Sequence, residues 1–202
     1  MLHAALIAAA LAAPASAAPA LPSFEGAAAA VMAQAALTRA ADVKTLDAGV
    51  AADLDRLASD ASFKEMDLSR LHADEQNLDA RLRSGGRAQD PGLAYAVTDF
   101  VDRLRQADSD LRFLLQDAGA CAARVTAKDP ALAPHAQSFQ SSAARLSDTV
   151  RWLSMDGTWL QSDLQQAGYP MEGMDADQLL RSVQDSADAL KSLADSIRAK
   201  AG

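Results

Sequence analysis

Apolar residues recur along most of this chain at alternating steps of three and four positions. The longest such series runs without a charged member through Leu93, Val97, Phe100, Leu104, Ala107, Leu111, Leu114, Ala118, Cys121 and Val125. Residues 132–164 and 180–201 keep the same spacing. Because this spacing places one apolar stripe along one face of a helix, it is typical of helices packed in a bundle. No stretch shows the alternation of a half-buried strand, so the pattern predicts an all-α protein with heptad packing.

The same rhythm continues through residues 50–82, with charged interruptions at Lys64 and Glu75. Residues 62–65 match a capping box, so the segment either breaks near residues 59–62 or forms one long helix. The absence of Gly and Pro between Val50 and Ser84 favours a continuous helix with a kink. A charge at an interior position needs a partner, and we expect these two residues to mark a bundle end or an exposed stretch.

Gly and Pro divide the rest of the chain, because both are unfavourable inside a helix. The segments between them predict helices over residues 27–83, 91–126, 130–167 and 175–200. Short connections favour antiparallel neighbours. We therefore predict one domain over residues 27–202, an elongated antiparallel four-helix bundle with up-down-up-down topology.

The N-terminal segment has the pattern of a secretory signal peptide. Residues 4–13 are apolar, and after Pro14 comes the small-residue site Ala15-Ser16-Ala17. This predicts a signal peptide over residues 1–17 with cleavage after Ala17, then a flexible mature N-terminus over residues 18–26. The protein is expected in the periplasm or outside the cell, with no transmembrane segment after cleavage because no later apolar run reaches about 20 residues.

Composition narrows the classes of partner. The formal net charge is −8, which argues against binding nucleic acid because that needs clustered Lys and Arg. Half of the residues are hydrophobic but only 4% are aromatic, as expected for slender helices. The single cysteine, Cys121, occupies an interior position of its helix and is predicted to be a buried thiol.

The chain carries no catalytic-triad, phosphate-loop or zinc-protease motif, which predicts a protein that is not an enzyme and has no cofactor. His72, Glu75 and Asp79 lie on one side of the first helix and are the candidate metal ligands. Di-metal bundles use several Glu-x-x-His pairs, whereas here the order is reversed and single, so we predict no metal. An enzyme using paired carboxylates would need a cleft that holds two acids with separated pKa values.

Trp152, Met155 and Trp159 point away from the apolar face of the third helix. Because Trp is enriched at binding hot spots, these residues predict an interaction surface for a protein partner, a ligand or a second subunit. Alternatively, Gly157 breaks or rotates the helix, or the first helix covers this side. The leading hypothesis is an exported, non-enzymatic protein that acts through surface contacts, in an adaptor, chaperone-like or structural role. The rival is a small-ligand or metal-binding bundle with its site near His72 and Glu75.

Overall fold

The computed structural model describes residues 24–85, 90–125, 128–169 and 176–202, with the side chains of the first helix described from residue 48 onward. These residues form four helices and contain no strand. The helices are α1 (Phe24–Arg83), α2 (Pro91–Arg124), α3 (Ala133–Gln166) and α4 (Ala176–Ala201). The prediction of an all-helical protein is confirmed. The predicted signal peptide, residues 1–17, lies outside the described residues.

Two helix starts differ from the predicted bounds. Helix α1 begins at Phe24, so residues 24–26, predicted to be flexible, are helical, and the helix continues through residues 59–62. Helix α3 begins at Ala133 rather than residue 130 because Asp129 organises a turn first. Its side chain accepts a hydrogen bond from the Ala131 N–H at 2.8 Å, and its carbonyl accepts one from Leu132 at 3.0 Å.

The breaks between helices follow ordinary capping chemistry. Asp90 precedes α2, and its Oδ1 accepts hydrogen bonds from the backbone N–H groups of Gly92 (2.9 Å) and Leu93 (3.3 Å). Gly85 and Gly168 follow α1 and α3 with φ values of +99° and +80°. A side chain would be strained in that left-handed conformation, so glycine ends both helices cleanly.

The chain falls into two units that divide between Val43 and Lys44. The single domain over residues 27–202 stays a prediction. Within the first unit, the backbone is helical from Phe24 onward. That part of α1 is rich in alanine, and the regular series of larger apolar residues begins only at Val50. The second unit contains the remainder of α1, the other three helices and the described core.

The core of the second unit consists mainly of the residues that the apolar spacing assigned to the interior. In α2, α3 and α4 every member of the three series is buried except Ala107, which is partly buried. Helix α4 packs against α2 and α3, and side-chain contacts link α1 to both α2 and α3. These contacts are compatible with a helical bundle.

Cys121 is buried in this core, as predicted, and burial raises the pKa of its thiol. A thiol that resists ionisation is a poor nucleophile, so Cys121 acts as a small apolar side chain. Within the part of the chain that the structure describes, no helix is both long enough and apolar enough to span a lipid bilayer.

Candidate functional site

A cleft of about 510 Å³ lies between α1 and α3. It is lined by Glu75, Gln76, Asp79 and Arg83 from α1 and by Asp156 and Trp159 from α3. The α1 residues lie on one side of the helix because Asp79 is four positions from Glu75, three from Gln76 and four from Arg83. The volume falls within the range of small-molecule sites, and we call this feature the α1–α3 cleft.

Glu75 is the unusual residue of the α1–α3 cleft. Its exposure is 1%, and neither carboxyl oxygen has a hydrogen-bond partner. Burial raises the pKa of Glu75 to about 8, helped by the negative charges of Asp156 and Asp79. Near pH 7 this carboxyl is therefore mostly protonated, because ionisation in a poorly solvated site is unfavourable.

Gly157 explains how α3 accommodates a carboxyl in the interior. A Cβ atom placed on Gly157 would lie 3.1 Å from Glu75 Oε1 and 2.3 Å from Leu180 Cδ1. Any larger residue would have to displace one of these side chains. The missing side chain on α3 thus leaves the space that Glu75 occupies.

The prediction that Lys64 and Glu75 mark a bundle end or an exposed stretch is wrong for Glu75, which is buried. The reason is the space left by Gly157, which a pattern within one helix does not show. Lys64 is half-buried, and its Nζ lies 2.7 Å from Asp110 Oδ2 on α2. The long side chain of Lys64 thus lets its ammonium group contact both solvent and Asp110.

Asp156 is held at the wall of the cleft by two α1 side chains. His72 Nε2 lies 2.8 Å from Asp156 Oδ2, and Gln76 Nε2 donates to the same oxygen at 3.4 Å. The hydrogen bond from His72 is the main cause that lowers the pKa of Asp156. Asp156 therefore stays ionised near neutral pH, beside a Glu75 that does not.

A second acid pair lies around Arg83. Arg83 Nε is 3.0 Å from Asp79 Oδ1 and 3.1 Å from Asp163 Oδ2. Burial and a hydrogen bond with Asp163 raise the pKa of Asp79, while that same hydrogen bond lowers the pKa of Asp163. Asp79 therefore holds a proton more readily than an ordinary aspartate, and Asp163 gives up its proton more readily.

The three candidate metal ligands do not converge on one point. His72 contacts Asp156, Asp79 pairs with Arg83, and the Glu75 oxygens contact no hydrogen-bonding group. Among the described residues there is no group of three or more His, Cys, Asp or Glu side chains that could hold a metal ion. The donor set that a protein metal site needs is not assembled by these side chains.

The candidate interaction residues are all exposed. Trp152 is 57%, Met155 52% and Trp159 65% exposed, and α3 continues without a break through Gly157. We call these three residues the tryptophan surface. Tyr169, the aromatic residue that follows α3, is buried. Trp159 belongs to both features, because it also lines the α1–α3 cleft.

The α1–α3 cleft holds two acids whose pKa values are shifted in opposite directions. Glu75 and Asp156 do form a pair of acids with separated pKa values in one cleft. However, a general acid or base must come within hydrogen-bond reach of its substrate, and both Glu75 oxygens are shielded from solvent. A carboxylate attracts a cation without direct contact, because charges interact over about 4–6 Å.

Sequence reasoning missed three residues of the cleft, Gln76, Arg83 and Asp156, and also Asp163, which pairs with Arg83. The available signal was a pair of exceptions in the apolar series, the acid at Glu75 and the missing side chain at Gly157. One position is too polar for an interior and the other too small, and the two are complementary if they face each other. Nothing within either helix states that they do.

Comparison with known proteins adds no assignment to these features. No protein-family model, curated protein or solved structure matches the chain. The α1–α3 cleft and the tryptophan surface are therefore the features that support functional proposals.

Proposed function

We propose that this chain is an exported, non-enzymatic helical-bundle protein that acts through surface contacts, in an adaptor, chaperone-like or structural role. The observation that carries the proposal is the tryptophan surface, where three large apolar side chains are each more than half exposed on one helix. Both tryptophans of the chain lie there. Trp is one of the residue types enriched at the energetic centre of protein interfaces.

We also propose the up-down-up-down arrangement with heptad packing. Between α1 and α2, side-chain contacts join Arg56 to Asp117, Lys64 to Asp110, and Asp74 to Arg103, so residue numbers fall along α2 as they rise along α1. Between α3 and α4, Gln140 contacts Asp195 and Ser147 contacts Asp188, in the same opposite sense. Buried residues that repeat every three and four positions support the heptad packing.

Contacts between α1 and α3 support a parallel pair in that arrangement. Asp55 contacts His135, Glu65 contacts Arg145, and Gln76 contacts Asp156, each across 80 positions. A constant offset means that residue numbers rise together along the two helices. Of the tryptophan surface, Trp159 lies at the α1–α3 cleft, which it lines.

Export is supported by the apolar residues 4–13 and the Ala15-Ser16-Ala17 site. We expect the protein recovered from the periplasm or culture medium to begin at Ala18. Intact-mass and N-terminal peptide measurements on that fraction check this directly. Recovery of the uncleaved chain in the cytoplasm alone would contradict export.

The partner we propose is a protein with an apolar contact surface bordered by basic residues. Asp156 lies between the two tryptophans in sequence and its side chain is 39% exposed. The chain as a whole carries a formal charge of −8. An apolar patch with acidic neighbours is complementary to a patch of the opposite charge, which favours selective association.

A photo-crosslinking amino acid at Met155, in cells that export the protein, tests the surface-contact function. We expect a discrete crosslinked species from Met155 and none from the matched position Phe113, which lies on α2 and is 65% exposed. Replacing Trp152 and Trp159 by alanine is expected to abolish the Met155 crosslink without unfolding the protein, because both side chains are mostly exposed. Equal labelling from Met155 and Phe113 would contradict the proposal.

A further inference from the structure

The α1–α3 cleft and its contacts contain more acids than bases. The acids are Glu75, Asp79, Asp156 and Asp163, and the bases are Arg83 and His72. Arg83 pairs with Asp79 and Asp163, while His72 pairs with Asp156. No cation faces Glu75 among these contacts, so the negative potential of the cleft is only partly balanced.

Glu75 gives independent evidence that the cleft accepts a ligand. An acidic cluster alone is commonly a solvated surface, but this carboxyl is 99% buried, lines the cleft and has no hydrogen-bond partner. A buried polar group without a partner destabilises the fold. Such a group in a folded protein requires an explanation, and a bound water or ion is one of the recognised explanations.

Trp159 supplies a second kind of contact on the α3 wall. Its ring is 65% exposed and lines the same cleft as Glu75 and Asp156. The face of an indole ring attracts organic cations and also packs against methylene groups. An aromatic wall beside ionised carboxylates is the combination that recognises an alkyl ammonium or guanidinium group.

We propose that the α1–α3 cleft binds an organic cation, an alkyl ammonium or guanidinium group whose head lies against Asp156 and Asp79 and whose alkyl stem packs on Trp159. Glu75 lines the same cleft, and the charge of the cation gives its unpartnered carboxyl a counter-ion, so entry of the cation favours ionisation of Glu75. A bare metal ion fits less well, because the described side chains do not assemble three donors for one ion. The proposal goes beyond the surface-contact function and holds even if Trp152 and Met155 bind nothing.

Two sources supply this ligand chemistry: a free small amine, or the Lys or Arg side chain of a protein held at the tryptophan surface. The recognised group is the same in both cases. The probes are therefore n-butylammonium and n-butylguanidinium for the free form, and N-acetyl-lysine N-methylamide for the side chain in a peptide.

The test is titration of these probes into the mature protein carrying Trp152→Phe, so that the remaining emission comes from Trp159. We expect saturable quenching by both butyl cations, and at least about 10-fold weaker binding of n-butanol, which has the same stem without the charge. Saturation by the lysine amide assigns the site to a protein side chain, whereas saturation by the butyl cations alone assigns it to a free amine. An equal response to butanol, or tighter binding of Ca²⁺ than of butylammonium, would overturn the proposal.

The role of Glu75 can be measured separately as proton release, because a bound cation favours the ionised form of Glu75. Calorimetry at pH 7 in two buffers of different ionisation enthalpy is expected to detect release of up to one proton per cation bound, and none at pH 9.5. Glu75→Gln should weaken cation binding at least about 10-fold and abolish proton release. The matched variant Glu65→Gln, at an acid that pairs with Arg145 outside the cleft, should leave both unchanged. Unchanged affinity in Glu75→Gln would refute the site.

The two proposals fail separately. Loss of the Met155 crosslink with intact butylammonium binding would remove the surface-contact function and leave the cation site. An intact crosslink with no cation binding would remove the cation site and leave the surface-contact function.

Discussion

The protein is expected to lose stability as the pH rises from about 4.5 to about 8, and Glu75→Gln is expected to remove most of that loss. The folded-state pKa of Glu75 is about 8, against an ordinary value of 4.5. Between these values the folded protein holds a proton that the unfolded chain has released. The free energy of unfolding therefore falls with increasing pH throughout this window.

The expected effect is large because the carboxyl is almost completely buried. The separation of the two pKa values corresponds to at most about 5 kcal/mol between pH 4.5 and pH 8. Asp79, whose pKa is also raised, acts in the same direction. Asp53, Asp156 and Asp163 have lowered pKa values and act oppositely, since their contributions are lost only as the pH falls below about 4.

Urea unfolding followed by circular dichroism at pH 5, 6, 7, 8 and 9 measures this dependence. Wild-type protein and Glu65→Gln should show the same decline, because Glu65 lies outside the cleft and pairs with Arg145. Glu75→Gln should match the wild type near pH 5 and exceed it at pH 8 and above. A wild-type stability that is flat from pH 5 to pH 8 would mean that Glu75 is more solvated than its surroundings indicate.

The interior of the fold was predictable from the sequence because burial on one face of a helix produces a regular spacing of apolar residues. A residue that faces the core has its next core-facing neighbour three or four positions away, so the series in α2, α3 and α4 identified buried positions directly. The helix ends were nearly as predictable, since Asp90 and Gly168 form hydrogen bonds with residues only a few positions away in the sequence. The start of α3 differed because Asp129 stabilises a turn before the helix.

The cleft was not predictable, because it depends on the relative position of two helices. Asp156 meets Gln76 across 80 positions, and no periodicity within α1 or α3 specifies that offset. The same offset brings Gly157 to Glu75, which turns two separate exceptions into one complementary pair. Helix geometry placed Trp152 and Trp159 opposite the apolar face of α3 but left open whether the first helix covers that side, and the structure shows both exposed.

Gly157→Ala is expected to destabilise the protein or leave it unchanged, whereas Gly119→Ala is expected to stabilise it by about 1 kcal/mol. In an ordinary helix interior, alanine is preferred over glycine by about 1 kcal/mol. Gly119 lies in α2, is exposed, and has no atom within 4 Å of an added Cβ, so only this preference applies. At Gly157 the added Cβ meets Leu180 Cδ1 at 2.3 Å, and overpacking of a core typically opposes folding by about 1–3 kcal/mol.

The cause of the Gly157 effect can be assigned by a double-mutant cycle with Leu180. If the clash with Leu180 dominates, then Gly157→Ala should be less harmful, or even stabilising, in a Leu180→Ala background where the overlapping methyl group is gone. If the contact with Glu75 dominates, at 3.1 Å, the relief should come from Glu75→Ala instead. Urea unfolding of the single and double variants at pH 5, where the Glu75 charge is absent, measures both couplings. Equal stabilisation by Gly157→Ala and Gly119→Ala in the wild-type background would show that α3 does not need a glycine to hold a buried carboxyl. The burial of Glu75 would then not depend on the space at Gly157.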